Sequence, residues 1–129
     1  MKFFFDNNLS PKLARSLDAL AEPEHRVTHL RQRFPGNTSD VEWMSALAAE
    51  EDWIIVSGDL RIRNNPHEVA AWKKAGHTTF FLKQGWLDLG PWDQMWKLAK
   101  AFPELVDTAS RAPRGSPFFV TVNGKIESA

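Results

Sequence analysis

Asp6, Asp40, Glu42 and Asp59 are the residues whose type and position most readily combine into chemistry. Carboxylates gathered at one place repel one another, and the gathering is costly unless a cation neutralises it. Hard oxygen ligands of this kind suit Mg²⁺ or Mn²⁺, held by a few carboxylates and completed by water. Each acid also has a plainer explanation. The helix macrodipole favours acids in a first turn, which covers Asp40, and a capping box covers Glu42. Asp59 follows Gly58 and suits a turn. Asp6 is harder to dismiss, because nothing nearby calls for an acid directly after Phe3-Phe4-Phe5. Arg61 and Arg63 follow Asp59 closely and offer planar forks for phosphate oxygens, with a solvated loop as the plain alternative.

The elements that must position these residues can be read from period and punctuation. Lys2 to Phe5 reads as a strand buried on both faces. Ser10-Pro11 supplies a cap and a first-turn proline, and Leu13, Ala14, Leu17, Leu20 and Ala21 recur at helical spacing, which predicts a helix from Pro11 to Ala21. His25 to Leu30 is a weaker strand. Ser39-Asp40-Val41-Glu42 matches a capping box, and Trp43, Leu47 and Ala48 carry that helix to about Glu51. Trp53 to Ser57 is the strongest strand signal. Asn65-Pro66-His67-Glu68 starts a third helix that Gly76 closes, and Thr78 to Leu82 is a fourth strand.

Alternating strands and helices argue for βαβ units and a parallel sheet. In such sheets ligands collect beyond the carboxyl ends of the strands. Asp6 ends the first strand and Asp59 the third. Asp40 and Glu42 open the helix that joins the second strand to the third, and a right-handed crossover begins at the carboxyl edge. All four acids are therefore predicted on one side of the sheet. Beyond Gly85 the texture changes. Pro91 to Phe102 reads as a helix with Trp92, Met95, Trp96 and Ala99 on one face, and a shorter helix follows Pro103. Trp92 and Trp96 suit a core or a partner-binding face better than base stacking. Phe118 to Val122 is a strand leading through Asn123-Gly124 to Lys125-Ile126. The expectation is one domain over 1–129, a core at 1–84 carrying the acidic site and C-terminal helices and a strand at 85–129.

Composition narrows the function classes. The 129 residues are 43% hydrophobic and 25% charged, too apolar for intrinsic disorder. Sixteen basic residues balance sixteen acidic ones, so any surface for nucleic acid must be local. Absence of cysteine removes disulfides, thiolate metal sites and cysteine nucleophiles. A charge at Asp6 comes too early for a signal peptide, and no apolar run approaches the roughly 18 residues of a spanning helix. The expected setting is a soluble cytoplasmic protein without membrane contact. Gly-rich nucleotide cradles and the Gly-x-Ser-x-Gly nucleophile motif are missing. His25, His29, His67 and His77 lack zinc-ligand spacing and are expected at the surface or in strands.

Phe5-Asp6-Asn7-Asn8-Leu9-Ser10-Pro11, Ser39-Asp40-Val41-Glu42-Trp43 and Ile55-Val56-Ser57-Gly58-Asp59-Leu60-Arg61-Ile62-Arg63 together resemble the PIN-like domains, nearest the branch related to VapC toxins. The likeness runs over Met1 to Leu82. It implies a three-layer α/β domain with a central, mainly parallel sheet flanked by helices. It also implies a Mg²⁺- or Mn²⁺-dependent ribonuclease, commonly the toxin of a type II toxin–antitoxin pair. Partners implied are an RNA substrate, an antitoxin protein and a second copy in a homodimer. Asp6, Asp40 (or Glu42) and Asp59 match the family's metal-binding places, and Arg61 or Arg63 would steady a phosphate oxygen. Two departures stand out. Leu82-Lys83-Gln84 offers no fourth acid, and Asn7 stands where the wider group often has Glu. Two other readings follow: an inactive interaction or RNA-binding module on the same fold, and a receiver-type phosphoacceptor using Asp59 and Lys83.

Overall fold

The computed structural model describes residues 1–50, 52–59 and 65–129. Six strands, β1 (Lys2–Phe5), β2 (Arg26–His29), β3 (Trp53–Ser57), β4 (Thr78–Leu82), β5 (Pro117–Val120) and β6 (Ile126–Ser128), form one sheet in the order β2-β1-β3-β4-β5-β6. The first five run parallel and β6 returns antiparallel to β5. Four helices, α1 (Pro11–Ala21), α2 (Asp40–Ala48), α3 (Pro66–Ala75) and α4 (Pro91–Arg111), cover its two faces.

Alternation along the strands explains the layering. Phe3 and Phe5 point into one core with Ile54, Val56, Phe80 and Leu82, where Leu13 and Leu17 of α1 meet Leu98 and Leu105 of α4. Phe4 points the other way, with Ile55 and Phe81, against Trp43 and Leu47 of α2 and Trp72 of α3. A strand covered on both faces has no polar side to show, so β1 reads as unbroken phenylalanine. The expected three-layer α/β architecture is the one observed.

Local punctuation holds where it was clearest. Ser10 caps α1 by accepting from the Lys12 amide at 3.1 Å, and Asn65 caps α3 by accepting from the His67 amide at 3.0 Å. Gly76 ends α3 in the left-handed conformation, φ 70°. Elsewhere the boundaries shift. β2 stops at His29, and Leu30–Gln32 form a 3₁₀ turn. α2 stops at Ala48, short of the expected Glu51. The amide of Glu50 bonds back to the Leu47 carbonyl at 2.9 Å, and Asp52 takes a φ of 68° before β3 begins.

The C-terminal region departs most from expectation. One helix runs from Pro91 to Arg111 straight through Pro103, not two. Leu98, Ala101, Phe102 and Leu105 form a buried stripe across the proline, so packing on both sides outweighs the one hydrogen bond that proline forgoes. That stripe also leaves Trp92 out of the core, 86% exposed, with Trp96 half exposed, while Met95 and Ala99 pack against it. β5 begins a residue early and ends at Val120, because Thr121 closes a loop through the Lys125 carbonyl at 2.9 Å before β6. His29 ends β2, one of the strand positions expected for a histidine, and His77 lies just before β4; both are buried. Among the described residues, no helix is long and apolar enough to cross a membrane.

Candidate functional site

The sheet order decides where a site can form. The chain leaves β1 toward β2 on one side, whereas β3 leads to β4 on the other, so the connections diverge between β1 and β3. That divergence opens a crevice at the carboxyl edge, the usual ligand position in an open α/β sheet. Asp6 follows β1 there and Asp59 follows β3 by two residues.

Asp6 is 2% exposed and held by three donors. Its Oδ1 accepts from the Asn8 amide at 3.1 Å and the Gly58 amide at 3.3 Å, and its Oδ2 accepts from the Ser57 hydroxyl at 2.5 Å. The Ser57 Oγ in turn accepts from the Asp59 amide at 3.1 Å. A single hydroxyl thus joins the two acid-bearing segments. Gly58 permits the approach. A Cβ there would lie 3.1 Å from the Asn8 Cβ and 3.2 Å from the Leu87 Cδ2, tighter than those neighbours accept without moving.

Burial pushes the Asp6 carboxyl up to about 6. The hydrogen bonds from Ser57, Gly58 and Asn8 pull it back, and the negative charge of Asp40 raises it further. Among the described residues no cationic side chain balances it. Asp40 sits half-buried at the start of α2, where its Oδ1 accepts from the Trp43 indole at 2.9 Å. Asp59 is buried as well. Glu42 is exposed and engaged with its own cap: its Oε1 accepts from the Ser39 hydroxyl at 3.0 Å while that oxygen accepts from the Glu42 amide at 3.2 Å. The reciprocal capping contact goes to the hydroxyl, and the carboxylate acting on Asp6 is that of Asp40. Arg61 and Arg63 lie outside the described residues.

These donors fit a hard divalent cation in kind. A carboxylate has about four acceptor positions, and among the described residues Asp6 uses three, leaving one. In number the set is sparse: among the described residues no three acidic or histidine side chains converge closely enough to hold an ion together. Mg²⁺ is commonly held by one or two carboxylates, with water and substrate phosphate completing its shell. Asp6 with Asp40 nearby meets that lower requirement.

Sequence reasoning missed several contributors. His29 donates from Nε2 to the Leu9 carbonyl at 2.6 Å and accepts at Nδ1 from the Arg31 amide at 3.0 Å, tying the segment after β1 to the end of β2. Burial lowers its pKa, which keeps the ring neutral for that pair of roles. Ser57 was visible only as part of a motif. Its bond to Asp6 spans 51 residues, and no local signal encodes it.

A family model described as "PIN like domain" matches residues 1–84. The chain belongs to that family. No curated protein and no solved structure matches it. The PIN-like match contains Asp6, Asp40, Glu42 and Asp59 and ends two residues beyond β4, so α4, β5 and β6 lie outside it. Where a fourth acid was missing from the sequence, Lys83 forms an ion pair with Glu127 of β6 at 3.0 Å. Lys83 is the lysine that a receiver-type phosphoacceptor would use beside Asp59, and here it faces Glu127.

Proposed function

We propose that this PIN-like protein is a Mg²⁺- or Mn²⁺-dependent endoribonuclease of the branch related to VapC, acting as the toxin of a type II toxin–antitoxin pair. The observation that carries the reading is the buried Asp6 carboxylate at the sheet's switch point, raised to about 6 and without a cationic partner among the described residues, inside the PIN-like segment. Asp6, with Asp40 or Asp59 as a second carboxylate, would hold the ion, and water and substrate phosphate would complete its shell. When bound, such an ion neutralises the carboxylates and polarises water and phosphate oxygens for hydrolysis.

The chain's own side chains do the rest. Ser57 and the Gly58 amide fix the Asp6 carboxylate in one orientation, so its remaining acceptor position faces a constant direction. Asp40, held by the Trp43 indole, orients the attacking water or completes the donor set. Glu42 is the weaker choice for that task because its carboxylate serves the cap. Arg61 and Arg63 would steady a non-bridging phosphate oxygen. The toxin reading adds an antitoxin, for which exposed Trp92 and Trp96 are suitable anchors, together with a homodimer and a cytoplasmic setting.

Single-stranded RNA incubated with Mg²⁺ or Mn²⁺ should be cut, and a chelator or Asp6→Ala should stop the cutting. Asp59→Asn should abolish metal-dependent cleavage while its melting temperature stays near that of the parent. A readout independent of activity is thermal: Mn²⁺ should raise the melting temperature of the parent and leave Asp6→Asn unmoved. Cleavage that survives in chelator, or in Asp6→Ala, removes the reading. One observation favours a second reading, an inactive interaction or RNA-binding module: no three-ligand group forms among the described residues. RNA binding without cleavage or a metal-dependent thermal shift would select it.

A further inference from the structure

The geometry points to Arg31 as a substrate phosphate-binding residue on the rim of the Asp6 site, aimed by Asn7. This rests on the nuclease reading for its substrate class, a single-stranded RNA, but not for its evidence.

Arg31 lies in the 3₁₀ turn just past β2, two residues after His29, which sits beside Phe5 in the sheet register. Its Nε donates to the Asn7 Oδ1 at 2.8 Å, and the Asn7 Nδ2 donates to the Gly36 carbonyl at 3.0 Å. Asn7 therefore joins three pieces: the segment carrying Asp6, the turn carrying Arg31 and the loop leading into Asp40. Both Arg31 and Asn7 are exposed.

Charge separates this arginine from others in the chain. Arg26, Arg33 and Arg111 are matched by carboxylates of Asp18, Glu50 and Asp107. The guanidinium of Arg31 is held through Nε by a neutral amide, and its two terminal nitrogens have no hydrogen-bond partner among the described residues. A guanidinium fixed at Nε presents its remaining fork outward, the geometry for bidentate contact with a phosphate. Its full charge stays available next to the segment that carries Asp6, where the Asp6 and Asp40 carboxylates would otherwise repel an RNA backbone. Glutamate at position 7 would neutralise it, whereas the Asn7 amide holds the guanidinium without cancelling its charge.

The test uses a fluorescein-labelled single-stranded RNA with phosphorothioate linkages, titrated in Mg²⁺ across a salt series, beside cleavage of the ordinary RNA. Arg31→Gln should raise Kd roughly tenfold and reduce the slope of log Kd against log salt by about 0.7, with an unchanged melting temperature. Arg31→Lys should restore the slope but only part of the affinity. Asn7→Ala should weaken binding less and be non-additive with Arg31→Gln, as expected of a positioning residue. A purely structural strap would move melting and leave the salt slope alone. If the parent binds RNA and Arg31→Gln binds it with the same Kd and slope, the inference is overturned. If the parent binds but never cuts, while the Arg31 effects persist, the nuclease reading fails and the role of Arg31 stands. A parent that binds no RNA in Mg²⁺ sinks both.

Discussion

Asp6 is a residue whose placement costs the fold something. A carboxyl that titrates near 6 when folded and near its ordinary 3.8 when unfolded burdens the folded state at neutral pH, where both forms are ionised. The difference corresponds to about 3 kcal/mol. The sign is opposite to that of a salt-bridged acid. As pH falls from 6 toward 4, the folded chain takes up the proton first and gains stability relative to the unfolded chain. Asp6→Asn should therefore be more stable than the parent at pH 7, by up to about 3 kcal/mol, with the advantage gone near pH 4. Urea unfolding at the two pH values measures this, and an Asn variant less stable at pH 7 would contradict it. A site residue that destabilises its own fold is the pattern expected where function, not packing, retains it.

At the scale of the element, α4 is the instructive case. Pro103 sits inside a 21-residue helix, exposed, while the apolar stripe runs past it on the sheet side. A proline there forfeits the bond from its own nitrogen to the carbonyl four residues back, and its ring crowds that turn. Pro103→Ala should restore the bond and stabilise the protein by about 2 kcal/mol, less than the full proline penalty because the unfolded chain also gains freedom. Two separate helices broken at Pro103 would show no such gain in a thermal melt. α2 teaches the converse. Its Ser39 cap and first-turn acids are local devices, so its start was legible from sequence, whereas its end depends on the turn that must feed β3.

Across the whole molecule, pH acts through more than the acidic rim. His77 is buried between the sheet and the α2–α3 layer, and neither ring nitrogen makes a well-formed hydrogen bond among the described residues, although the Leu47 and Trp53 backbones offer weak ones. Burial is the main cause of its lowered pKa. The unfolded chain therefore binds the proton first as pH falls through about 6.5, and stability is lost below that value. His77→Leu should remove this loss and relieve an unsatisfied polar group, adding roughly 1–3 kcal/mol at pH 7. Melting curves between pH 7.5 and 5 would show the variant flatter than the parent; parallel curves would exclude His77 as the sensitive group.

Much of this molecule was legible before folding was considered. Strand period, proline and glycine punctuation and the handedness of crossovers are local or generic rules. They were enough to place β1, α1, β3, α3 and β4, and to send Asp6, Asp40 and Asp59 to one edge. What they could not supply were contacts between distant segments. The neighbouring of β1 and β3, the Ser57 hydroxyl between Asp6 and Asp59, the Asn7 link to Arg31 and the burial of His77 all join residues far apart along the chain. Side-chain chemistry by itself determines which groups can ionise, cap or turn. Only tertiary packing decides which of them lose water and meet, because desolvation and proximity belong to the folded arrangement and leave no period in the sequence.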